Sequence, residues 1–176
     1  MSITEEILRG RVHFYVSESR LVSGFIASAI GVIMATAFGI WFKAVGWTQF
    51  DFNSLNAFLW AGSAGNLGLK LSSEFTYTLG ALAHYGQGIV FGLIFVYVVH
   101  PNFPGRLNTR NNLVKGLLWG WALWIISSSL WMPLLFGTGF LFGTWGYANF
   151  AYNLVWHSIY GLHLGLFYNP LPKPTV

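Results

Sequence analysis

Two histidines in this sequence are each followed by two glycines at four-residue spacing, inside long apolar stretches without charge. The two copies comprise His84, Gly88 and Gly92, and His157, Gly161 and Gly165. On an α-helix, residues four apart lie on one face, so each copy forms a stripe of one imidazole and two glycines. Glycines allow another backbone or a flat ligand to approach closely. A histidine in a membrane-spanning segment is costly without a partner, so each is a candidate site residue.

Three interpretations of the paired histidines stay open at this stage. The imidazoles could hydrogen-bond to polar groups on neighbouring helices, while the glycines only permit tight packing. Alternatively, His84 and His157 could be the two axial ligands of a b-type haem, with the glycines making room for the porphyrin. Haem iron accepts axial histidine, and a non-covalent haem needs no cysteine. In the third interpretation, a quinone or a lipid headgroup binds near one of the histidines. Zinc is disfavoured because no carboxylate reaches the same level.

The predicted membrane segments offer little for catalysis. They contain no Asp, Glu or Arg, and their one Lys, Lys115, lies near the start of the third segment. No nucleophile, base and acid can be combined from such side chains. Ion or proton transport normally requires intramembrane carboxylates. We therefore expect no catalytic residues, and a small-solute transporter is only the second alternative function.

The composition is typical of an integral membrane protein. Of 176 residues, 55% are hydrophobic and 8% are charged, whereas soluble domains carry about 25% charged residues. The 19% aromatic share fits rings at the membrane interface and in helix packing. No basic run or stacking platform suggests nucleic acid as a partner. The absence of cysteine excludes disulfides, thiolate metal ligands and covalently attached c-type haem.

Four apolar stretches are each long enough to cross a hydrocarbon core, which takes about 20 residues. They cover residues 21–42, 75–99, 113–135 and 147–168. We predict an all-α integral membrane protein, a four-transmembrane-helix bundle made of two tandem helical hairpins. His84 and His157 each lie about ten residues, or about 15 Å, into their spans, which suggests an internal repeat of hairpins.

The segments outside the spans are predicted from their composition. Residues 1–20 interleave apolar and charged side chains and should form an amphipathic helix in the interface plane. Residues 43–74 are expected to hold an amphipathic surface helix followed by a flexible Gly-rich stretch at 61–68. Residues 169–176 should form a short polar tail. The first apolar run is too long for the core of a signal peptide, so we expect it to be retained as a span.

The basic residues predict the orientation of the bundle. Seven lie on one side of the predicted spans: Arg9, Arg11, Arg20, Arg106, Arg110, Lys115 and Lys173. The other two, Lys43 and Lys70, lie on the opposite side. Cytoplasmic loops carry the excess of Lys and Arg. Both termini and the middle loop should therefore be cytoplasmic, in a multi-pass protein of the inner or plasma membrane.

The second half of the chain resembles the YagU-type small inner-membrane proteins and related uncharacterised four-span families. The resemblance covers about 90 residues and rests on His84, the turn with Pro101 and Pro104, the run Lys115–Leu118, the run Met132–Leu134, and His157 followed by aromatics. It implies a location in the membrane and little about biochemistry.

The expected function is that of a non-catalytic accessory subunit in a larger membrane complex of the respiratory or photosynthetic type. A small bundle rich in aromatics and poor in carboxylates suits that role. Membrane lipids and other integral membrane subunits are the expected partners, with lipids bound to the protein. The alternative is an electron-transfer protein that binds haem b or quinone through His84 and His157.

Overall fold

The computed structural model of the chain describes residues 17–48, 50–66, 71–103 and 112–169. In these ranges all regular structure is helical. The α-helices are α1 (Arg20–Ala44), α2 (Phe52–Asn66), α3 (Ser73–Ile94), α4 (Asn112–Ile126), α5 (Met132–Phe136) and α6 (Tyr147–Phe167). A π-helical turn, Phe95–Val99, extends α3, and a second, Ser127–Trp131, joins α4 to α5. Two predicted segments lie wholly or mostly outside the described residues, namely positions 1–16 of the interfacial helix at 1–20 and positions 170–176 of the tail.

Three helices are long and apolar enough to cross a membrane, namely Arg20–Ala44, Ser73–Val99 and Asn112–Phe136. Their limits agree with the first three predicted spans to within two residues. The fourth predicted span coincides with α6, which has 21 residues but is less apolar than the other three. Asn149, Asn153, His157, Ser158 and His163 are the polar side chains that reduce its hydropathy. That α6 crosses the membrane stays a prediction.

The long helices pack in antiparallel pairs. Gly24 of α1 lies beside Val96, and Val32 of α1 lies beside Gly88, so α1 and α3 run in opposite directions. α6 packs against α1 on one side and against α4 on the other, and is antiparallel to both. As a result α3 and α6 run in the same direction.

The helix α2 differs from the predicted surface helix. Four of its side chains are buried: Asn53, Leu55, Asn56 and Ala57. It crosses α3 at Gly80, where an added Cβ would lie 2.7 Å from the Ala57 Cα. An amphipathic pattern predicts a two-sided helix but not whether its second face meets water or another helix. The stretch expected to be flexible from position 61 is helical as far as Asn66.

An ion pair fixes the connection between α1 and α2. Lys43 Nζ lies 2.7 Å from Asp51 Oδ2, and Asp51 also accepts hydrogen bonds from the backbone N–H and the hydroxyl of Ser54, each at 2.8 Å. Burial raises the pKa of Asp51, but the hydrogen bonds from Lys43 and Ser54 outweigh it, so the pKa lies below its ordinary value. The charged form of Asp51 therefore stabilises the fold.

This ion pair should make stability depend on pH in the acid range. A carboxyl with a lowered folded-state pKa stabilises the protein above its unfolded pKa, near 3.9, and that stabilisation is lost as the pH falls through the folded-state value. The difference in unfolding temperature between the wild type and Asp51→Asn should be constant from pH 7 to about pH 4 and shrink below it. Thermal unfolding in detergent measures this. A difference unchanged at low pH would contradict the assignment, and Lys43→Gln should behave like Asp51→Asn.

Candidate functional site

The first pair of stripe glycines is covered by α1. An added Cβ at Gly88 would lie 2.6 Å from the Val32 Cβ, and one at Gly92 would lie 2.5 Å from the Ser28 Cβ. Contacts this short are not tolerated in a packed interior. Gly88 and Gly92 therefore serve the close approach of α3 to α1.

The second pair of stripe glycines is covered by α4. An added Cβ at Gly161 would lie 3.0 Å from the carbonyl carbon of Gly116, and one at Gly165 would lie 2.8 Å from the Leu113 Cα. Here backbone meets backbone, which cannot move aside as a flexible side chain can. The four glycines thus serve helix packing, and of the four Gly88 alone also lines the cavity described below.

His84 is held from α1 and by an aromatic ring of α2. Its Nε2 lies 3.1 Å from the hydroxyl oxygen of Thr36. The Phe52 ring stacks on the imidazole with a centroid distance of 5.3 Å. His84 thus satisfies one ring nitrogen through a neighbouring helix, as the packing interpretation predicts.

His157 takes its partner from its own helix. Its Nδ1 lies 2.9 Å from the backbone carbonyl oxygen of Asn153. The edge of the same Phe52 ring faces this imidazole at a centroid distance of 6.5 Å. Phe52 therefore contacts both histidines and brings the two stripes into one site, together with Trp156, whose ring centroid lies 3.8 Å from that of Phe52.

A cavity of about 110 Å³ lies between these helices. Its lining includes both histidines and four further polar residues, Asn56, Gln87, Ser127 and Tyr160. The rest of the lining is apolar or aromatic, and the described lining residues include no Asp, Glu, Lys or Arg. A mostly apolar pocket with a few convergent polar groups is the usual form of a small-molecule site.

Part of the cavity wall is exposed where α3 faces the end of α4. Direct packing of α3 on α4 is sparse beside that of α3 on α1 and of α4 on α6. Phe91 of α3 meets Trp131 edge to face across this gap, at a centroid distance of 6.4 Å. The lining residues Ile126 and Trp131 are 47% and 43% exposed.

The π-helical turn Ser127–Trp131 borders the cavity, because its first and last residues, Ser127 and Trp131, both line it. Such turns are rare and frequently mark functional sites. The turn precedes Pro133, and the helix continues past this proline through α5. Gly137, at φ +62°, then ends it in the left-handed conformation.

A b-type haem does not fit this site. A cavity of about 150 Å³ accommodates a single benzene, so 110 Å³ cannot contain a four-ring macrocycle. The glycines predicted to make room for it are covered by α1 and α4. In addition, Phe52 contacts both imidazoles.

Phe52 and Trp156 were not predicted as site residues. Phe52 lies in the connection that was expected to rest on the membrane surface, and Trp156 is one of nine tryptophans, most of which suit the interface. Adjacency of Trp156 to His157 was the only available signal. Tyr160 donates from its hydroxyl to the Gly88 carbonyl at 2.7 Å and not to a histidine.

The resemblance of the second half to YagU-type proteins stays a prediction. Comparison with protein-family models, with curated proteins and with solved structures finds no significant match to this chain.

Proposed function

We propose that this chain is a non-enzymatic, multi-pass membrane protein that binds the ring-shaped head of a lipid-soluble molecule, such as a quinone, in its central cavity. The observation that carries the proposal is the cavity between α3, α4 and α6, which is lined by His84 and His157 and open on its side. Its volume of about 110 Å³ is below the roughly 150 Å³ of a cavity that holds one benzene, so a single ring must extend in part into the open side. A tail can leave there, through the gap beside Phe91 and Trp131.

The position of the cavity supports a ligand from the lipid phase. His84 lies about 15 Å along α3 from its start, within a helix long and apolar enough to span. Polar side chains at this depth are costly and mark functional sites by default. The amide pair formed by Gln87 and Asn56, at 3.1 Å, adds further polar groups to a wall that is otherwise apolar.

Filling the cavity should weaken binding. Ser127→Phe places a ring into the space, whereas Leu130→Phe adds bulk on the same turn, where Leu130 is 53% exposed. Purified variants in lipid nanodiscs would be titrated with a short-chain alkylphenol, with quenching of tryptophan fluorescence as the readout. We expect Ser127→Phe to weaken binding at least about ten-fold and Leu130→Phe to leave it unchanged. Equal affinities for both variants would contradict the proposal.

The proposal includes four spans, with both termini on the cytoplasmic side of the inner or plasma membrane. It is supported by the seven-to-two distribution of basic residues. Because the chain has no cysteine, single cysteines report orientation directly. We expect Val45→Cys, at the end of α1, to react with a membrane-impermeant maleimide on whole cells, and Glu18→Cys, before its start, to stay unlabelled. The opposite pattern would reverse the orientation.

A second proposal is that the protein serves as an accessory subunit of a larger membrane complex of the respiratory or photosynthetic type. The outward face of α3 favours it: Leu82 and Val90 are exposed, and a Cβ added at Gly86 between them would meet no atom of another part of the described chain within 4 Å. A bare glycine between two large apolar residues gives another helix room for close approach. Native gels of gently solubilised membranes at native expression would decide it, because a protein that migrates alone is not such a subunit.

A further inference from the structure

We propose, on the basis of the binding function above, that the cavity selects ring heads that donate hydrogen bonds over ring heads that only accept them. The favoured class is an alkylphenol or quinol, and the disfavoured class is the corresponding ether or oxidised quinone. The hydrogen-bond partners of His84 and His157 carry this inference.

The tautomer of His157 follows from its partner. Nδ1 lies 2.9 Å from the Asn153 carbonyl oxygen, and a carbonyl oxygen only accepts. Nδ1 must therefore carry a hydrogen. A neutral imidazole has one N–H, so Nε2 of His157 presents a lone pair.

The tautomer of His84 follows from a chain of two hydrogen bonds. The Thr36 hydroxyl donates its only hydrogen to the Val32 carbonyl oxygen at 2.7 Å. Its oxygen can then only accept from His84 Nε2, which lies 3.1 Å away. Nε2 carries the hydrogen, and Nδ1 of His84 is left as an acceptor.

Both imidazoles are neutral in this setting. The described cavity lining includes no carboxylate to balance an imidazolium, and an uncompensated charge among apolar helices is costly. Two neutral histidines therefore line one cavity, each with an acceptor nitrogen that has no partner among the described residues.

The amide pair adds a third acceptor. Asn56 Nδ2 donates to the Phe52 carbonyl oxygen at 2.9 Å, which fixes Asn56 Oδ1 as the atom that accepts from Gln87 Nε2. Gln87 Oε1 is left as an acceptor. The unpaired donors of the described lining are the Ser127 hydroxyl, the Trp131 indole N–H and one amide hydrogen each of Gln87 and Asn56. The Trp156 Nε1 also has no partner within the described ranges, but it is buried and closed to the cavity.

This arrangement discriminates between heads of similar shape. A ring hydroxyl can donate to an imidazole lone pair and accept from the second amide hydrogen of Gln87. A quinone carbonyl or a methyl ether brings only lone pairs, which would oppose those of the two imidazoles and leave them unsatisfied.

The test uses 4-nonylphenol and 4-nonylanisole, which differ by one methyl group and undergo no redox change. Titration into wild-type protein in nanodiscs should show the phenol binding about ten-fold tighter or more. If neither probe bound, the proposed binding function itself would be contradicted. Equal binding, or tighter binding of the ether, would overturn the selectivity and leave the binding function standing.

Thr36→Val tests the tautomer without changing side-chain size. The substitution removes the hydroxyl oxygen that accepts the hydrogen bond from His84 Nε2. The imidazole hydrogen can then lie on either ring nitrogen. The preference for the phenol should fall several-fold, while binding of the ether stays the same or rises. Thr78→Val is the matched control, because the Thr78 hydroxyl also bonds to its own helix, at 2.8 Å from the Glu74 carbonyl, on an exposed face. A preference unchanged by Thr36→Val would overturn the role given to His84.

Discussion

Replacement of Gly161 by leucine should prevent the bundle from assembling, whereas the same change at Gly86 should be tolerated. Gly161 faces the backbone of Gly116 on α4, and Gly86 has open space around it. A side chain forced between two backbones must separate the helices, so we expect the free energy of unfolding to fall by about 3 kcal/mol or more.

Unfolding by SDS in mixed micelles, followed by circular dichroism, measures this difference. Gly86→Leu also controls for the loss of a flexible glycine, since both substitutions replace glycine by leucine within a long helix. If Gly161→Leu were as stable as Gly86→Leu, α4 and α6 could not meet at this seam.

Phe52→Ala should have the second large effect on stability. Phe52 packs on His84 and on Trp156, which is itself buried. Removal of a core ring costs about 3 to 5 kcal/mol when it is fully buried, and because Phe52 is half-buried we expect about 2 to 3 kcal/mol.

Phe58→Ala on the same helix is the matched control, because Phe58 is 70% exposed and should change stability by less than about 0.5 kcal/mol in micelles. The SDS titration serves for both variants. Equal losses for the two would mean that α2 rests on the surface, as the sequence alone had suggested, and does not close the cavity.

The long helices could be predicted because their physical cause is local. Arg20 and Lys43 bound an uncharged run of 22 residues, and charge is what the hydrocarbon core excludes. The fourth segment gives a weaker signal, since Asn153 reduces its hydropathy. Asn153 is buried and donates to the Ser128 hydroxyl at 2.9 Å, a pairing between two helices that hydropathy cannot represent.

The site could be predicted only in part. The spacing of His84 and His157 identified two residues that line one cavity. The glycine stripes, however, were compatible with either a flat ligand or the backbone of a neighbouring helix. A missing Cβ permits both, and only the position of α1 and α4 decides between them. Phe52 could not be foreseen, because it reaches the histidines through the crossing of α2 over α3, a long-range contact that local periodicity does not encode.

The most direct measurement of the central claim is photo-crosslinking with an alkylphenol that carries a diazirine beside its ring. In wild-type protein in nanodiscs, mass spectrometry should identify adducts on peptides containing Phe91, Trp131 or Trp156, reduced by an excess of 4-nonylphenol and lost in Ser127→Phe. Adducts could instead be confined to outward-facing positions such as Leu82 and Val90 and be unchanged by competitor. That result would show that the probe contacts the protein surface only as a bulk lipid does, and it would contradict a binding cavity.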